Sequence, residues 1–229
     1  MPVPKIGAEL GPARGNITRG TRGRDAESLR RGAGRYVTAS GGAAGAARRM
    51  STSRRVAAGI VQVAQAFNAG GAANVLQTFN LQGLAGATIT EVFVALTDVL
   101  CPAGGTIDEA IARDAMLETV VDLLESGVTD FDDLTPEQLQ EFFIGVVGRS
   151  IEDKIWNELG TNSFGRAEDI ETIERAEANL HDFVDGCVRD QFDNGNTSLS
   201  DIGADEIDGF VSGLYTAAFE MMRILGESE

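Results

Sequence analysis

The sequence predicts an all-α protein, a helical bundle of about six to eight helices with a basic, Gly/Arg-rich, partly flexible N-terminal arm. Three observations carry this. Apolar residues recur at helical spacing in segment after segment, and no stretch alternates apolar and polar side chains with period two over a useful length. Helix-start signals are dense: Thr88 with Glu91, Thr106 with Glu109, and Thr135-Pro136-Glu137-Gln138. No proline follows Pro136, so nothing of that kind interrupts the later helices. The expected division is a basic arm with short helices over residues 1–55 and an acidic all-α domain over 56–229.

Taken in order, residues 1–24 hold Pro2, Pro4, Pro12 and several glycines among few large apolar side chains. They offer too little surface to offset chain entropy and read as a flexible or partner-ordered arm. Asp25 is placed to cap a short helix carrying Leu29, Tyr36 and Val37, which Gly32 and Gly34 should weaken. Gly41-Gly42 breaks the chain before a second short helix over Ala43–Met50. Ser51 or Ser53 then caps a better helix, with Val56, Ile60, Val63, Ala64 and Phe67 along one face. Gly70-Gly71 ends it, and Ala72–Phe79 is a weaker helical piece.

The helix opened by Thr88 turns Ile89, Val92, Phe93, Leu96 and Leu100 inward, and Cys101-Pro102-Ala103-Gly104-Gly105 stops it. The helix opened by Thr106 has Ile107, Ile111, Leu117, Val120, Val121 and Leu124 as its apolar residues, with Gly127 suited to its C-terminal cap. Pro136 starts a helix burying Leu139, Phe142, Phe143, Val146, Val147, Ile151 and Ile155, closed by Gly160. Residues 167–192 form another, with Ile170, Ile173, Ala176, Leu180, Val184, Cys187 and Val188 on the core side. A polar loop over 193–201 precedes a last helix from Asp205, through Ile207, Phe210, Val211, Leu214, Ala218, Met221 and Leu225.

Charge is distributed unevenly. The chain of 229 residues has a formal net charge of -16, which by itself argues against a polyanionic partner. Residues 1–55, however, hold twelve Arg/Lys against three Asp/Glu, while 56–229 hold seven against thirty-two. The basic segment can fold back on the acidic one, dock on a partner or meet a polyanion. Seventeen of the nineteen cations are Arg, the residue that grips carboxylate or phosphate with a planar fork. Cys101 and Cys187 form no CxxC pair and read as buried thiols in a reducing cytoplasm. From Val56 to Thr90 no residue is charged, yet the longest apolar run, Val56–Phe67, is only about half of what a membrane span needs.

Candidate chemistry is sparse. The lone His181 has no second imidazole or thiolate at helical spacing, so it reads as solvent-facing or ion-paired. Asp130, Asp132 and Asp133 precede a helix start, where negative charge meets the helix dipole favourably. A calcium loop with Asp190 at its first position and Gly195 at its sixth would put Phe192 at the third, where an oxygen ligand is required. Neither GxSxG, nor GxxxxGK[ST], nor a GxGxxG after a strand is present. No catalytic set, metal site or cofactor is therefore expected. The remaining signal is the run Arg30, Arg31, Arg35, Tyr36, Arg48, Arg49, Arg54 and Arg55, read as a docking element for a protein partner. A nucleic-acid-associated helical protein is the alternative, although Tyr36 alone supplies aromatic interleaving.

The same stretch carries a resemblance. Ser28-Leu-Arg-Arg-Gly-Ala-Gly-Arg-Tyr-Val37, followed by Gly41-Gly42-Ala-Ala-Gly-Ala-Ala-Arg-Arg-Met50, resembles the B component of the bacterial Qat anti-phage defence systems. The resemblance covers about residues 24–55 in motif, and the remainder in helical character alone. It implies a non-catalytic protein acting with a QueC-like ATP-dependent enzyme, with an ATPase and a TatD-like nuclease as further components. It also implies modification of the N-terminal region, around Pro2 and Gly7, by the QueC-like enzyme. That modification favours an N-terminal glycine, whereas the sequence begins Met1-Pro2. Either cleavage exposes Gly7 or a later glycine, the sequence is a truncation, or the modification does not apply. On this reading residues 1–55 hold the QueC-like partner and the acidic body recruits other components.

Overall fold

The computed structural model describes residues 10–23, 25–159, 170–195 and 198–227. Among these residues the chain forms helices joined by short loops and single 3-10 turns, with no strand. The helices are α1 (Gly11–Gly23), α2 (Ala26–Ala39), α3 (Gly42–Arg48), α4 (Ser51–Thr78), α5 (Ile89–Leu100), α6 (Ile107–Glu125), α7 (Pro136–Leu159), α8 (Ile170–Gly195) and α9 (Ile207–Glu227). The expected closure at Gly160 and the segment 167–169 lie outside the described residues.

Local signals account for most boundaries. Asp25 accepts a hydrogen bond from the Glu27 backbone N–H and caps α2. Gly41 and Gly42 turn the chain into α3 at φ of 88° and 76°, a region that suits glycine. Helix α4 is broken at Gly70-Gly71, where Gly71 has φ 67°. Both threonine–glutamate capping boxes form, at Thr88/Glu91 and Thr106/Glu109. Gln138 closes a third box with Thr135 by accepting from the Thr135 N–H at 2.9 Å.

The chain divides into two compact units, one of Met1–Met50, Ile151–Gln191 and Gly213–Glu229, the other of Ser51–Ser150 and Phe192–Ser212. In the first unit, residues 11–23 form a helix where composition had suggested a flexible arm. Ala13, Asn16, Ile17, Gly20 and Thr21 make its buried face. One large apolar side chain suffices because glycines let the backbones approach closely. A Cβ on Gly20 would stand 2.7 Å from Leu29 Cγ, and one on Gly32 would stand 2.7 Å from Ile17 Cδ1. Gly32 and Gly34, expected to weaken α2, are buried packing positions instead. Leu29, Tyr36, Val37, Ile155, Leu180, Val184, Tyr215 and Phe219 complete this unit's interior.

The second unit is built on aromatic packing. Phe93 lies 5.8 Å from Phe131 and 4.3 Å from Phe142, centroid to centroid. Phe143 stacks on Phe210 at 6.0 Å and tilts against Phe192 at 5.9 Å. Gln65 reaches from α4 to donate to the Ile202 carbonyl at 2.8 Å. Some apolar positions lie outside the core their spacing suggested: Ile107, Val121 and Leu124 of α6 are exposed, as are Ile170 and Leu225.

Candidate protein-docking surface

Helix α2 buries Leu29, Ala33, Tyr36 and Val37 along one face. Arg30 and Arg35 are exposed, while Arg31 is half-buried. Arg31 pairs with Glu27 one turn back and lies 3.9 Å from Asp25. Tyr36 is fully buried, so its ring belongs to the interior and not to a contact surface. Arg48, at the end of α3, is exposed. Arg49 is drawn inward, with Nη2 3.0 Å from both carboxylate oxygens of Glu158.

In the second unit Arg54 donates from Nη1 to Ser212 Oγ at 2.9 Å, and Arg55 is exposed. Ser51, Arg54, Arg55, Asp208 and Val211 line a cleft of about 370 Å³ there. The predicted set thus separates. Arg31, Arg49 and Arg54 are engaged within their own units, whereas Arg30, Arg35, Arg48 and Arg55 form no ion pair among the described residues. Pro2 and Gly7 lie outside the described residues.

Arg30 sits over the Phe183 ring, 5.7 Å from its centroid. Beside it opens a cleft of about 380 Å³, lined by Arg30, Phe183, Cys187, Met221 and Leu225, with Asp182 and Asp190. Burial, reinforced by the Asp190 charge, pushes the Cys187 thiol up to about 12 against the pull of Arg30. The sulfur is therefore protonated at neutral pH and is no nucleophile. An apolar floor with a cation above it suits the binding of a side chain. The cleft was hidden in the sequence because Phe183, Met221 and Leu225 sit at helical spacing like any core residue. One signal was available: Met221 and Met222 are adjacent, so one helix face cannot bury both.

The other candidates have structural partners. His181 Nδ1 lies 2.8 Å from Glu152 Oε2, and Trp156 Nε1 donates to Glu177 at 2.6 Å. Asp132 and Asp133 sit exposed in a 3-10 turn before α7. No group of three or more His, Cys, Asp or Glu among the described residues is placed to hold a metal ion. No described helix is long and apolar enough to cross a membrane.

Comparison with known proteins bears on what this surface serves. Neither the curated proteins nor the solved structures contain a match. The family model described as "Qat anti-phage system associated protein QatB" matches residues 41–222, well over half the chain. It begins at Gly41, taking in Gly41–Arg55 of the basic segment and nearly all of the helical body. Across that length this chain belongs to the QatB family and is a component of the Qat anti-phage defence system.

Proposed function

We propose that this protein is a non-catalytic, cytoplasmic component of the Qat system that docks on a QueC-like ATP-dependent enzyme through outward arginines. The observation that carries the reading is the separation of the arginines. Arg31, Arg49 and Arg54 are engaged internally, while Arg30, Arg35 and Arg48 stand exposed without an ion pair among the described residues. Such forks cost little to desolvate against partner carboxylates and hold them bidentately. The cleft beneath Arg30 offers an adjoining apolar foothold, the usual companion of an arginine anchor at an interface. Arg55 is a further contact of the same kind, and the ATPase and TatD-like nuclease are further partners. Modification of the N-terminal region by the QueC-like enzyme, at a glycine such as Gly7, belongs to the same reading.

Deleting residues 1–55 does not test this, because the deletion also removes Ile17, Leu29, Tyr36 and Val37 from a folded interior. Charge reversal does. The full chain carrying Arg30→Glu, Arg35→Glu and Arg48→Glu is co-expressed with the QueC-like protein of the same system and purified on a tag. Co-purification is expected to fall at least about tenfold while the thermal melt is kept. Undiminished co-purification refutes the role of these arginines. Binding to nucleic acid that weakens steeply with salt and is lost in the same variant identifies the alternative partner.

A further inference from the structure

Helix α6 is apolar on two sides. Ile111, Ala115, Met116, Val120 and Leu123 are buried. A second row runs outside them through Ile107, Ala110, Asp114, Leu117, Val121 and Leu124, apolar except at Asp114, with Ile107 62%, Val121 49% and Leu124 39% exposed. Its steps alternate between three and four, the spacing of a coiled-coil seam. Helix α5 lies antiparallel beside it, since Asp98 accepts from Arg113 at 2.6 Å and the Ile89 N–H donates to the Thr129 carbonyl. It contributes Val94, 43% exposed, one turn before the Asp98 that reaches Arg113. Single exposed aliphatics are ordinary. Here four of the eight large exposed aliphatics among the described residues, Ile107, Val121 and Leu124 of α6 and Val94 of α5, lie on two neighbouring helices, and that concentration marks an interaction surface.

Charge selects the occupant. Residues 88–133 contain eleven Asp/Glu and one cation, Arg113. Arg149 adds one more from α7, reaching Asp122 at 2.8 Å and Glu118 at 3.5 Å. A second copy would set this acidic rim against itself. The complementary partner has an apolar seam flanked by Lys or Arg, the helix-in-groove mode of peptide recognition.

We propose that the outer seam of α6, with α5 beside it, docks a cationic amphipathic helix of another protein. The surface belongs to the second unit, whereas Arg30, Arg35 and Arg48 belong to the first, and it does not rest on their role. The test uses the full chain and a fluorescein-labelled synthetic helix with Leu at its seam positions and Lys and Arg on the flanks, followed by anisotropy. A peptide of the same composition in scrambled order and one with Glu flanks serve as comparisons. The cationic amphipathic peptide is expected to bind, at least about tenfold more weakly to Val121→Asp/Leu124→Asp, and unchanged to Arg30→Glu/Arg35→Glu/Arg48→Glu. Because the altered side chains are exposed, the fold should survive. The milder Val121→Ser/Leu124→Ser should weaken binding in the same direction with an unchanged melt. Equal binding of the scrambled peptide, no binding, or a homodimer in light scattering that Val121→Asp abolishes would each overturn the proposal.

Discussion

Arg49 grips Glu158 with Nη2 3.0 Å from both carboxylate oxygens, while Lys154, one turn earlier on α7, reaches the same carboxylate at 3.1 Å. Arg14 of α1 donates to the Glu158 backbone carbonyl at 3.2 Å. One residue therefore ties α1, the end of α3 and α7 together within the first unit. The Arg49 and Glu158 side chains are only 28% and 15% exposed, so the pair is shielded more than a surface ion pair. Arg49→Ala is expected to lower stability by about 1–2 kcal/mol, with Arg35→Ala within about 0.5 kcal/mol of the wild type. Urea unfolding checks both. Equal effects would mean that the structural and outward arginines are not distinct.

Where α2 crosses α9, two glycines replace side chains. A Cβ on Gly226 would stand 2.5 Å from the Arg30 carbonyl oxygen and 2.9 Å from Gly34 Cα, both backbone atoms that no rotamer change moves. Gly226→Ala is expected to cost about 1–3 kcal/mol through overpacking. Gly213, on the same helix, is exposed with open space around its Cβ position. There alanine is expected to stabilise by about 0.5–1 kcal/mol, because it restricts the unfolded chain and favours helix. Thermal melts of the two variants should shift in opposite directions. A matching shift would show that the crossing is looser than these distances require.

How much of this was written in the sequence depends on how local each cause is. The boxes at Thr88/Glu91 and Thr106/Glu109 close over three residues, and the break at Gly70-Gly71 lies within one chain segment, so spacing and residue type suffice. The folding of residues 11–23 does not follow from composition. It depends on Gly20 and Gly32 admitting Leu29 and Ile17, a tertiary contact. The arginine pairs are visible as residues, but Arg49 finds Glu158 across 109 positions of chain, and nothing local separates it from Arg48. Tyr36 shows the same limit: an aromatic among arginines looks like a contact residue until its helix face is known to be the buried one. The rows of α6 are both plain in spacing; only neighbours decide which is covered.

Both thiols are shielded. Burial raises the Cys101 thiol and pushes that of Cys187 up to about 12. Reaction with a disulfide reagent needs the thiolate, so at pH 8 the folded chain should react far more slowly than the urea-unfolded chain, whose thiols titrate near about 8.5. The difference should be largest for Cys187, followed by mass spectrometry of the modified peptides. Rapid native labelling of Cys187 would show that its cleft opens well beyond the described conformation.

The capping boxes make a contribution to stability whose pH dependence has a definite sign. Hydrogen bonds from the Thr88 hydroxyl and backbone hold the Glu91 carboxyl below its ordinary value of 4.5. The Thr106 backbone and hydroxyl do the same for Glu109. A depressed folded value means that the contribution is present above the unfolded value and is lost as pH falls through the folded one. Gln138 shows in the same protein that a neutral amide can close such a box with Thr135. Glu91→Gln/Glu109→Gln should therefore keep the hydrogen bonds and remove only the charge that favours the helix N-terminus. The variant is expected to be less stable than the wild type at pH 7. The gap should narrow as pH falls below about 4.5 and close once the native carboxyls are protonated. Urea midpoints across that range measure it directly. Equal midpoints for the variant and the wild type at pH 7 would show that the carboxylate charge at these two helix starts contributes nothing.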